Sequence, residues 1–347
     1  MKILAPYFIF CLAIVFVNCF NNDSRLSSYH GEKPFLLVAE THDVWVISQV
    51  TGELTSVAHD LDMVIDVDYD YEKQKLFFND DDYIYASDIT VSGDNFTTSK
   101  QQKILDNIGS VEGMAYDWVH EVLYFTDNGK NTIELFTMMR EHKTIFDTNL
   151  DEPRGIAVDP RDDQKWIYWA DWGIKPKIEK SGLDGSNRAL LVVTGLGWPN
   201  HLTIDYSENR LYWVDCKLDW IMSSGLDGQN VLIVFKSPRY SAHPFSIDVL
   251  GDAVFWSDWQ TNKVYQTSKK TPSAMTDLTK SEFAHSPMGV AVFHQSRQPN
   301  GTDHCKVNNA RCSHICLVAP ALGTNEKKFN CFCPDGMSLK KDGLNCQ

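Results

Sequence analysis

Six acidic side chains recur at nearly constant spacing along this chain. Glu40, Asp80, Asp127, Asp171, Asp215 and Asp258 are separated by 40, 47, 44, 44 and 43 residues. A carboxylate can move protons, hold a cation or accept backbone N–H groups, and placement decides which. Catalysis and metal binding need several acids converging on one point, whereas these are dealt out one per repeat. The pattern predicts structural carboxylates that accept backbone N–H bonds at strand ends and tie one repeat to the next. No Gly-x-Ser-x-Gly elbow, His-Glu-x-x-His, P-loop or post-strand Gly-x-Gly-x-x-Gly accompanies them. The expected chemistry is therefore binding without turnover, with no cofactor and no metal.

Cysteine offers a second kind of chemistry, and here too position decides. Cys11 and Cys19 lie in the amino-terminal apolar stretch, and Cys216 stands alone at mid-chain, expected as a buried free thiol. Cys305, Cys312, Cys316, Cys331, Cys333 and Cys346 crowd the carboxy-terminal end. Six cysteines in so short a segment of an exported chain predict three disulfides around a module too small to build its own core; spacing leaves fifteen connectivities open.

The elements that position these groups follow from the residues before each acid. Leu76-Phe77-Phe78-Asn79-Asp80, Leu123-Tyr124-Phe125-Thr126-Asp127 and Ile167-Tyr168-Trp169-Ala170-Asp171 are three copies of one motif. Leu211-Tyr212-Trp213-Val214-Asp215 and Val254-Phe255-Trp256-Ser257-Asp258 continue it, and Leu36-Leu37-Val38-Ala39-Glu40 is a degenerate first copy. A period of about 40–50 residues with strand-like content predicts a β-propeller with one sheet per repeat, here an all-β ring of six blades. Both faces of each motif strand are apolar because a blade is sandwiched between neighbours: Leu211 and Trp213 share one face, Tyr212 and Val214 the other. Asp70, Asp117, Asp205 and Asp248 lie ten residues before their motif acids and Asp159 twelve before, marking a preceding strand in each repeat. Met288–Phe293 has no motif strand after it and is expected to complete the blade begun by Phe35–Glu40, which removes a dangling sheet edge.

Met1-Lys2 followed by the apolar run Ile3–Val17 reads as a signal peptide ending near residue 19, which points to a secreted protein. The sequons at Asn22, Asn95 and Asn300 agree with that route. A net charge of −14 argues against nucleic acid and anionic membrane as partners, and no further segment is apolar enough for membrane insertion. The expected organisation is a signal peptide at 1–19, an amino-terminal segment at 20–34, a propeller at 35–296 and a small module at 300–347.

The motif series resembles the Tyr-Trp-Thr-Asp repeats of the LDL receptor family, and the six-cysteine tail looks like the EGF-like module that follows that family's propeller. The most specific stretches are Trp172–Lys180, Trp198-Pro199-Asn200, Leu211–Leu218, His243-Pro244-Phe245-Ser246 and Cys333–Met337. The resemblance implies disulfides Cys305–Cys316, Cys312–Cys331 and Cys333–Cys346, and an EGF-like module packed rigidly on the propeller. Asn300–His304, ahead of the first of these cysteines, supplies too few oxygen ligands for a calcium cage. The resemblance also implies an extracellular protein or lipoprotein ligand and a dedicated propeller chaperone in the secretory pathway. Two other readings are a secreted carrier similar to insect pigment-binding propellers and a truncated product of a larger endocytic receptor.

Trp172, Trp220 and Trp259 stand just beyond motif acids, and Trp198 precedes the next strand; exposed aromatics there can anchor a partner, or simply cap the blade ends. His243 matches a histidine that helps the family's lipoprotein receptors release ligand in acid. The companion position holds Asp219, so half of that switch is missing. His243 could equally be a strand-entry residue with a local hydrogen bond.

Overall fold

The computed structural model describes residues 34–236, 243–272, 275–280, 283–320 and 328–347. The signal peptide at 1–19, the sequon at Asn22 and the segment up to residue 33 lie outside the described residues.

Six β-sheets form the ring. Their inner strands are Pro287–Phe293, Val67–Asp70, Val111–Asp117, Pro153–Asp159, Pro199–Asp205 and Pro244–Leu250. Next outward in each sheet runs a motif strand: Phe35–Glu40, Lys75–Asp80, Val122–Asp127, Trp166–Asp171, Arg210–Asp215 and Ala253–Asp258. Numbering blades by motif strand, the first is closed as the sequence predicts. Phe35–Glu40 pairs antiparallel with Pro287–Phe293, Phe35 opposite Phe293. One chain end supplies the inner strand and the other the outer three, so the sheet exists only when both meet.

The two-sided apolar character of the motif strands places them between blades. Leu211 and Trp213 pack toward the fourth blade with Tyr168 and Ile178, while Tyr212 and Val214 pack toward the sixth with Val254 and Trp256. Trp169, Trp213 and Trp256 occupy one motif position and are fully buried. Large flat rings fill the wedge between radiating sheets.

The repeat acids take the predicted role. Asp80 accepts the N–H groups of Asp62 and Met63 at 2.7 and 3.0 Å, and Asp215 those of Gly197 and Trp198 at 2.6 and 3.0 Å. Asp127 and Asp171 accept from Gly109 and Asp151, at 2.6 and 2.9 Å, and Asp258 from His243. Even the degenerate Glu40 accepts from His285 at 2.6 Å. In each case the donor lies on the loop arriving from the preceding blade.

The upstream acids are less uniform than their spacing suggests. Asp117 and Asp205 end their strands and cap the following turn by accepting N–H groups two and three residues ahead. Asp248 does not end its strand. The sixth blade turns more tightly, with Leu250 opposite Ala253, so its inner strand runs two residues past Asp248. Asp248 therefore faces its neighbours across the channel.

Three disulfides, Cys305–Cys316, Cys312–Cys331 and Cys333–Cys346, staple the carboxy-terminal module in the pairing the resemblance implied. Its apolar residues share one core cluster with the third and fourth blades: Ile315, Leu317 and Val318 pack with Tyr124, Leu135 and Trp169. Before reaching the module, residues 295–304 cross the channel mouth as a strap. Arg297 bonds Ile204 O and Thr203 Oγ1, and Gln298 bonds the backbone of Tyr69 and Tyr71. Trp118 Nε1 donates to Pro299 O, and Thr302 docks on Asp162. Lys165, almost fully buried, reaches Pro160 O and Thr302 O. Its backbone sits at φ 69°, a conformation costly for a lysine, and these bonds over-determine it.

Cys216 is the buried free thiol expected, donating to Pro244 O at 3.0 Å. Burial pushes its pKa far up, leaving the thiol protonated and inert.

Candidate functional site

Antiparallel pairing fixes which loops share a face. Pro199 opposes Asp215 and Asp205 opposes Arg210, so the start of an inner strand and the end of its motif strand lie at the same end of the blade. Loops between blades and loops after the motif acids therefore form one face. Turns between inner and motif strands form the other, where the strap and module dock. Trp172, Trp198, Asp219, Trp220, His243 and Trp259 all belong to the first face.

The structure gathers them into two clusters. Trp172 and Trp198 meet with ring centroids 5.7 Å apart. The Arg154 guanidinium lies 3.7 Å from the Trp172 centroid and pairs with Glu112 at 2.5 Å, while Lys217 sits 5.2 Å over Trp198. Trp172 Nε1 donates to Glu152. The second cluster joins His243, Asp219 and Trp259. His243 stacks on Trp259 at 5.3 Å with planes 8° apart, and its Nδ1 meets Asp219 Oδ1 at 2.7 Å. The residue at the companion position thus binds His243 within the chain. Trp220 stands at the rim with the Lys236 ammonium 4.4 Å over its ring.

The tryptophans differ in exposure. Trp198 is 44% and Trp259 37% exposed, whereas Trp172 is half-buried under Arg154. Ile174, on the same loop as Trp172, is 92% exposed. Sequence reasoning missed both Ile174 and Arg154. The signals were an apolar residue two places beyond a repeat tryptophan and an arginine before the glycine of an inner strand. The other half of the face carries exposed Asp60, Asp62, Asp81, Asp82 and Asp106 on the loops of blades one to three. An apolar-aromatic arc over blades four to six thus faces an acidic arc over blades one to three. Beneath the aromatic arc, burial raises the Asp171 carboxyl, opposed by the Asp151 N–H and the Lys177 ammonium.

Among the described residues, no group of three or more His, Cys, Asp or Glu side chains is arranged to hold a metal ion, and no helix is long and apolar enough to cross a membrane. The sequon asparagines Asn95 and Asn300 are both exposed.

Comparison with known proteins agrees with this geometry. The family model for the low-density lipoprotein receptor repeat class B matches residues 165–206 and 209–247, and that for the coagulation factor Xa inhibitory site matches residues 305–346. The vitellogenin receptor Yl of Drosophila melanogaster is 30% identical over 299 residues, 86% of this chain; the chain spans 14% of that receptor's length. Among solved structures, a chain of the nidogen/laminin complex superposes with a TM-score of 0.66 at 25% identity, over 75% of this chain and 98% of that one. TolB from Acinetobacter baumannii shares the fold at 13% identity, with a TM-score of 0.59 over 78% of this chain and 69% of its own. With the repeat motif, the ring closure and these matches in agreement, the chain carries low-density lipoprotein receptor class B (YWTD) repeats in a six-bladed propeller, is homologous to a part of the vitellogenin receptor, and has a disulfide-rich module at its carboxy-terminal end.

Proposed function

We propose that this chain is a secreted, non-enzymatic binding module, a propeller at 35–296 with an EGF-like module at 300–347, that takes an extracellular protein or lipoprotein on the face bearing Trp172, Trp198 and Trp259. The observation that carries the reading is Ile174, 92% exposed beside the Trp172–Trp198 pair. An aliphatic side chain held out in water by a rigid loop is a cost that contact with a partner removes. The acidic arc across the channel adds a charge requirement, so the ligand segment should set an apolar residue next to lysine or arginine. The signal sequence and exposed sequons support the secretory route, along which the family's propeller chaperone would assist folding.

The similar fly receptor is named for vitellogenin, so a vitellogenin-class lipoprotein is the first ligand to try. The nidogen structure contains laminin, which makes laminin the second analyte. In a surface-binding assay, the mature chain should bind one of them saturably, and Ile174→Asp should weaken binding at least tenfold. Binding that Ile174→Asp leaves unchanged would move the site off this face. No binding of either analyte, with visible absorbance on the purified protein, would favour the carrier reading.

A further inference from the structure

The inner strands line the channel in two layers that register defines. Just ahead of the partner of the residue two before each motif acid stands a glycine in three blades, Gly113, Gly155 and Gly289, but Asp66 in the second, His201 in the fifth and Ser246 in the sixth. Two residues on, three blades carry alanine, while the second has Asp68 and the sixth Asp248. Charge is thus confined to a few blades of an otherwise small-residue channel, around a cavity of about 70 Å³ that these side chains line with Arg297.

Their contacts cross blade boundaries. Asp66 accepts Met114 N–H of the third blade at 2.7 Å and lies 3.5 Å from His201 Nε2 of the fifth. Asp68 accepts the N–H groups of Tyr116 and Tyr69, at 2.7 and 2.8 Å. Asp248 takes Thr203 Oγ1 at 2.8 Å, Val292 N–H of the first blade at 2.7 Å and Arg297 Nη2 at 2.6 Å. Three carboxyls therefore share one guanidinium and one imidazole. Arg297 is committed to Asp248 and His201 to Asp66, which leaves Asp68 as the carboxyl without a basic partner in the cluster.

We propose that the channel is a proton-binding site centred on Asp68, which takes up a proton in mildly acidic surroundings and thereby strengthens the closed ring. Each Asp68 oxygen keeps a lone-pair site besides its backbone bond, so a proton can enter without breaking either. Uptake removes one of three mutually repelling charges, Asp68 being half-buried and Asp66 and Asp248 buried. Enclosure pushes the Asp68 pKa up to about 7, and repulsion from Asp66 and Asp248 acts the same way against the two backbone N–H bonds. Enclosure also acts to lower His201, but Asp66 outweighs it and the imidazole ends raised. The remaining groups facing the cluster are the phenols of Tyr69 and Tyr206, with Asp159 beyond Tyr206 and Asp205 beyond Arg297. Asp68 is higher in the folded ring than its ordinary 3.8, so its contribution to stability grows as pH falls through about 7 and is complete below the unfolded value. The site is independent of the aromatic face and stands whether or not a ligand binds there.

The test is the thermal midpoint of the full chain between pH 8 and pH 5.5, read against Asp68→Asn, which resembles the protonated carboxyl at every pH. Histidine pairs elsewhere contribute in both proteins, so the difference isolates the channel. The wild type should gain about 2–4 °C more than Asp68→Asn on acidification. Parallel curves would overturn the proposal. Should Asp68→Asn not fold, Asp66→Asn serves instead: losing the neighbouring charge must shift the acidic rise to lower pH, and an unshifted rise overturns the proposal equally.

Discussion

At one end of the blades, the turns between inner and motif strands receive Arg297, Gln298, Pro299 and Thr302 and then the stapled module. At the other end, loops built on the same repeat hold Trp198 and Ile174 out to solvent. Both ends carry acids, yet the acids are used differently. At the open end Asp127, Asp171 and Asp215 turn inward to hold the loops that arrive from the preceding blade. At the covered end Asp162 and Asp184 reach outward to Thr302 and Asn330 of the tail. The open end is therefore rigid without being covered. That combination suits a recognition surface, because little ordering is lost when a partner lands.

If the covered end is structural, damage there should show first as lost stability. Arg297→Ala strikes hardest, because it leaves Asp248 in the channel without its guanidinium partner and frees the strap from the fifth blade. Breaking one side of a buried pair costs about 3–5 kcal/mol, read as a large fall in thermal midpoint. Lys165→Ala comes next. Its ammonium ties Pro160 O and Thr302 O, and leaving those acceptors unmet costs about 1–3 kcal/mol. Hydrogen exchange should quicken first in residues 299–304 and then in the module.

These residues also show what a sequence of this kind discloses. The motif strands were legible because a blade buries both faces, forcing an apolar-aromatic run that stands out from every turn around it. The repeat acids were legible because one backbone problem recurs six times and receives one solution. Asp248 lies in the preceding strand as its spacing implies, but the shorter turn carries that strand two residues past it, a difference the equal spacing of Asp205 to Asp215 and Asp248 to Asp258 does not disclose. Arg154 and Ile174 left only faint local signals, because an arginine stacked on a tryptophan of another loop, or a loop isoleucine aimed at water, is set apart by its surroundings in the fold. The channel cluster was invisible for the same reason: Asp66, Asp68 and His201 meet across blades, and no repeat period encodes that meeting.

The junction between module and propeller gives a smaller effect with a definite pH sign. Asp335 accepts from Thr144 N and Oγ1 and from the Lys143 ammonium. Burial acts to raise its carboxyl, but these bonds outweigh it and the pKa ends below 3.8. A carboxylate lowered on folding stabilises above its unfolded value and loses that contribution as pH falls further. The junction should hold through pH 5 and loosen only below about 4. Asp335 is 40% exposed, so Asp335→Asn should cost less than about 1 kcal/mol at neutral pH. Module exchange rates measured at pH 5 and pH 3.5 check the sign. Loosening already at pH 5 would place a different group in control.

The smallest effect on stability belongs to the open end and gives the sharpest test of the contrast. Trp198 stands just before the inner strand of the fifth blade and Trp213 lies on its motif strand, one 44% exposed and the other fully buried. Trp213→Ala opens a cavity between blades and should cost about 3–5 kcal/mol. Trp198→Ala removes a ring that touches Trp172 and Lys217 at the surface and should stay within about 0.5 kcal/mol. Side-by-side thermal melts decide the matter. If Trp198→Ala falls as far as Trp213→Ala, the aromatic arc caps the blade ends and the recognition surface must be sought elsewhere. If its melt overlays the wild type while ligand affinity drops, the open end is spending hydrophobic surface on a partner, as its exposure argues.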